Sequence, residues 1–86
     1  MLTLSEKRRQ DIRQAVAAGH SSERIAETVF SSLFDFDKDI GLDYDDQVNY
    51  ALRIGVLIGT AQSWAAGDKA EYIISNFEKN ILNGLE

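Results

Sequence analysis

The chain has 86 residues, 44% of them apolar, enough for one hydrophobic core and a single domain, 1–86, with no room for a second. It contains no cysteine, which excludes a disulfide scaffold, a thiolate metal site and cysteine catalysis. Its net charge of −5 argues against non-specific nucleic-acid binding, which needs clustered Lys and Arg.

The opening MLTLSEKRRQ lacks the apolar stretch of a secretory signal, and the longest uncharged apolar run, Ile54 to Ala61, is too short to cross a bilayer. A soluble cytoplasmic protein is expected. With no proline, no Gly/Ser linker and no internal repeat, the spacing of apolar residues predicts an all-α, four-helix domain. The helices are expected at about 3–18, 21–34, 45–66 and 68–83, with an acidic loop between the second and third.

The first helix opens on Thr3-Leu-Ser-Glu6, the pattern of a capping box, and Gly19 supplies its stop. Its apolar stripe of Leu4, Ile12, Ala15 and Val16 is thin, which predicts packing at the edge of the domain. Ser21 or Ser22 caps the second helix, where Ile25, Ala26, Val29, Phe30, Leu33 and Phe34 form a wide amphipathic face.

The third helix is capped by Asp45 or Asp46 and is apolar around much of its circumference, which predicts a central position covered on several sides, with Gly67 as its stop. Along it, Ala51, Gly55, Gly59 and Ser63 stand at i+4 intervals, a small-residue groove for a close helix crossing. The partner is either another helix of the same chain or the same helix of a second copy. A homodimer burying part of the third or fourth helix is expected, because the thin first helix leaves core uncovered. The fourth helix starts at Asp68-Lys-Ala-Glu71, almost without a loop, and Gly84-Leu85 reads as a Schellman close.

The charge is concentrated. Residues 35–46 hold six aspartates against Lys38 alone, and the eight basic and eight acidic side chains elsewhere cancel. This segment, Asp35-Phe-Asp37-Lys-Asp39-Ile-Gly41-Leu42-Asp43-Tyr-Asp45-Asp46, resembles an EF-hand loop, with carboxylates at loop positions 1, 3, 5, 9 and 12. Ile40 stands where the family has glycine, with Gly41 one place later, and Asp46 replaces the bidentate Glu. The resemblance implies Ca²⁺ held by Asp35, Asp37, Asp39, Asp43 and Asp46. Without a cation, the same residues make a solvated acidic loop.

Residues 12–29 resemble the first half of a helix-turn-helix, which would imply a DNA-binding regulator, although an acidic stretch follows where a recognition helix belongs. The single histidine, His20, is expected in an exposed turn, and Trp64 with Tyr72 forms a candidate aromatic anchor. No catalytic motif is present, and no cofactor beyond Ca²⁺ suggests itself. Elimination leaves a small acidic, non-catalytic interaction or regulatory module, an inhibitor or accessory protein. It would dock a basic partner surface through Phe36, Asp37, Asp39, Asp43 and Tyr44.

Overall fold

The first three helices begin where a side chain can accept the backbone donors that a first turn leaves free. In the computed structural model, which describes residues 2–36 and 41–85, Ser5 caps α1 (Glu6–Ala17) by accepting the Arg8 N–H at 3.2 Å. Thr3 is exposed and takes no part, so the start falls two residues beyond the expected capping box. The helix closes as a Schellman motif. Gly19, at φ +72°, and His20 donate their N–H groups to Val16 and Ala15, and positive φ at this position is what glycine permits.

Ser21 then caps α2 (Ser22–Ser31), which tightens into a 3₁₀ segment over Ser32–Phe36. Asp43, rather than Asp45 or Asp46, caps α3 (Tyr44–Thr60); its Oδ1 accepts the Asp46 N–H at 2.8 Å, and the other two aspartates sit in the first turn, where the helix dipole favours negative charge. The third helix ends at Thr60, six residues short of the expected end at 66, and a turn over 61–65 replaces the minimal loop.

Gly67 terminates nothing; it lies in the first turn of α4 (Ala66–Asn76), which no side chain caps. This last helix widens into a π-helical segment, Phe77–Leu82, then narrows to a 3₁₀ turn, Asn83–Leu85. Gly84 keeps a negative φ, so the chain does not close there as a left-handed Schellman motif. Four helices and no strand are found among the described residues, an all-α domain as expected.

The core is one cluster, centred on fully enclosed Phe77 with Ile12, Ile25, Val29, Leu33, Ile54, Ile58 and Ile73 around it. The main packing pairs are α2 with α3 and α1 with α4, joined by α1 against α2. Ion pairs reinforce α1. Arg13 Nε reaches Glu71 at 2.8 Å, and the Glu78 carboxylate accepts both Arg9 Nη2 at 3.0 Å and the Leu4 N–H at 2.8 Å.

The backbone measures 34 × 24 × 17 Å. The third helix is not central: only Ile54, Leu57 and Ile58 of its 17 residues are buried. No helix among the described residues is long and apolar enough to cross a membrane.

Candidate interaction surface

The basic residues of α1 come first, since they are the chain's only basic cluster. Arg8 grips Asp35 with two hydrogen bonds, Nε to Oδ2 and Nη2 to Oδ1, both 2.8 Å. The guanidinium holds the Asp35 carboxyl below its usual range, against a smaller opposing effect of desolvation, and the Arg8 pKa rises in return. Arg9 is engaged by Glu78, and Arg13 by Glu71 and Glu6. Arg8, Arg9 and Arg13 are therefore spent inside the molecule, which leaves little for phosphate.

Of the five candidate Ca²⁺ ligands, Asp35 is bound to Arg8, Asp43 caps α3, and Asp46 is exposed at the start of that helix. Asp37 and Asp39 lie outside the described residues. Among the described residues no group of three or more His, Asp or Glu converges as a metal site. Of the candidate partner-binding residues, Phe36 is half-buried against the core, while Tyr44 is 78% exposed. Asp45 and Asp46 are exposed beside it, and among the described residues no Lys or Arg pairs with either. Tyr44, Asp45 and Asp46 thus form an uncompensated acidic edge with an aromatic side chain at its centre.

The small residues Ala51, Gly55, Gly59 and Ser63 are all exposed. A Cβ built on Gly55 or Gly59 would meet nothing within 4 Å, so among the described residues no helix crosses there. Between and beside them stand Val48, Leu52 and Val56, exposed at 42, 65 and 68%. At about 100° per residue these three project opposite Ile54, Leu57 and Ile58. The helix has two apolar faces, one toward the core and one toward solvent. The spacing Val48, Leu52, Val56 held that signal, and it was absorbed into the expectation of a helix buried all round.

An apolar groove flanks this outward face on each side. One is lined by Ala26, Phe30 and Ala51, the other by Val56, Leu57 and Ile81 with Arg53 at its rim. Trp64 and Tyr72, the expected aromatic anchor, do meet, edge to face at 4.8 Å, with Trp64 44% exposed.

A third concavity, an open polar groove of about 540 Å³ between α1 and α2, is lined by Asp11, Gln14, His20, Arg24 and Thr28. Nothing in the residue spacing pointed to it beyond the helix-turn-helix corner. His20 is half-buried rather than exposed, its Nδ1 enclosed without a hydrogen-bond partner among the described residues.

These features define the class, a thin all-α domain with a charged edge and an outward apolar helix face. Compared with known proteins, the chain matches no family model, no curated protein and no solved structure.

Proposed function

We propose that the chain is a non-catalytic interaction or regulatory module that docks a basic surface of another protein through the acidic edge at the start of α3. The observation that carries this reading is the uneven use of charge. The basic cluster on α1 is consumed by Asp35, Glu71 and Glu78. Asp45 and Asp46 stay exposed and unpaired among the described residues, next to exposed Tyr44. A local field of one sign steers an oppositely charged partner and sets on-rate and selectivity, while an aromatic side chain supplies contact area at small entropic cost.

The test is a photo-crosslinking amino acid placed at Tyr44, with a control at exposed Ser75 on α4, in cells that express the chain. A discrete adduct at position 44 is expected, weakened by Asp45→Asn with Asp46→Asn and by raised salt. No adduct at 44, or one indifferent to those substitutions, removes the reading.

A further inference from the structure

We propose that the outward face of α3 is a self-association surface, on which two copies of the chain pack antiparallel about a two-fold axis near Leu52. This goes beyond docking at the acidic edge and does not depend on it.

The area fits. Val48, Leu52 and Val56 expose roughly 300 Å² between them, and Ala51, Gly55 and Gly59 extend the patch toward the ~800 Å² per partner of a stable interface. The shape fits as well. Gly55 and Gly59 form a channel, open to solvent, beside the Val48–Leu52–Val56 ridge. A ridge with a channel alongside is what a copy of the same face needs for close packing, and an isologous contact uses one surface twice.

Charge selects this occupant over others. From Gln47 to Thr60 the only charged side chain is Arg53. It is turned aside, donating to the Asn80 carbonyl oxygen and lying over the Tyr50 ring at 5.8 Å. The ridge thus offers a nucleic acid or a charged peptide nothing to pair with. An anionic membrane surface would find aspartates at the N-terminal end of the face instead of the basic residues such surfaces attract. A neutral apolar face fits another of the same kind.

Charge also sets the direction. Asp45 lies on the outward side, in line with Leu52 at about 100° per residue. Parallel packing would set Asp45 and its copy side by side. Antiparallel packing puts them on the order of 20 Å apart, beyond the ~8 Å screening length, and opposes the two helix dipoles.

Sedimentation of the purified chain at tens of micromolar should give twice the 9.6 kDa chain mass. Leu52→Glu should return it to one chain mass with helical circular dichroism unchanged, since Leu52 touches no core. A monomeric native chain, or a dimer that survives both Leu52→Glu and Val56→Glu, overturns the proposal. The direction is read from disulfides, because the chain has no cysteine of its own. Leu52→Cys should self-link on oxidation. Val48→Cys alone should not, but should link to Val56→Cys in a mixture. Self-linking of Val48→Cys would mean parallel packing and would overturn the antiparallel arrangement.

Discussion

The first and third helices are built on opposite plans. In α1, the most polar of the four, three buried side chains, Ile12, Ala15 and Val16, are supplemented by ion pairs that fasten it to the segments around it. In α3, longer by five residues and far more apolar, three side chains are also buried, and the rest of its apolar surface meets solvent. Apolar content therefore does not rank these helices by how firmly they belong to the core. Arginines with partners on other elements fix α1, while α3 has more apolar surface than one chain can cover.

The sharpest way to break this contrast is to truncate the two faces of α3 separately. Ile54→Ala removes a side chain with no exposure from the core and is expected to cost about 2–5 kcal/mol, a large part of the stability of a domain this size. Leu52→Ala, two positions away, is expected to change the stability of the isolated chain by less than about 0.5 kcal/mol. Urea unfolding at concentrations too low for association compares the two. Equal losses would mean that Leu52 is covered within the chain.

The fastening of α1 comes next in size. Glu78→Ala removes the acceptor of Arg9 Nη2 and of the Leu4 N–H, and leaves a guanidinium whose Nε is already enclosed without a partner among the described residues. A charge-assisted hydrogen bond contributes about 1.5–3 kcal/mol, and the partly exposed site places the loss near the lower end. Hydrogen exchange is the second readout, since the Leu4 amide should lose its protection. Full protection retained in the variant would show that Glu78 is not what holds the N-terminal segment.

Smaller, and opposite in sign, is the effect of filling the glycine channel. Nothing meets a Cβ added at Gly55, and glycine inside a helix costs about 1 kcal/mol against alanine. Gly55→Ala should therefore raise the unfolding free energy of the isolated chain by about that amount. In the antiparallel dimer the added methyl narrows the channel, so the same substitution should weaken association. A variant that is less stable as a monomer would show a close intramolecular neighbour at this site.

What was legible in the sequence follows the range of the interaction. Helix number and order came from periodicity within one or two turns, and Gly19 as stop and Ser21 as one of two expected caps were legible because both devices are local. Helix ends moved where two local signals competed: Ser5 took the cap expected of Thr3, Asp43 that of Asp45 or Asp46, and Gly67 was read as a stop yet lies inside a helix. The ion pairs join residues 27, 58 and 69 positions apart, which no spacing rule reaches. The outward face was visible as apolar residues, but whether a helix face is covered depends on which distant segments pack over it, and none of the described ones reaches Val48, Leu52 and Val56 closely enough to bury them.

The smallest effect tests whether the α1 plan works through charge. Arg8 lowers the pKa of Asp35 from its ordinary 3.8 in the folded state. A carboxyl with a depressed folded pKa releases its proton more readily when folded, so its contribution is present in full above the unfolded value and disappears as pH falls through the lower, folded one. The pair is partly exposed, with side-chain accessibilities of 28 and 39%, and solvent screening limits it to less than about 1 kcal/mol. Asp35→Asn should therefore cost a few tenths of a kcal/mol at neutral pH. The difference from the native chain should shrink as pH falls below 3.8 and vanish once the folded carboxyl is itself protonated. In Arg8→Gln the same substitution should cost almost nothing at any pH. A loss that persists in strong acid would mean that Asp35 acts through shape and hydrogen bonding rather than through its charge, and that the arginines fasten α1 by a mechanism other than ion pairing.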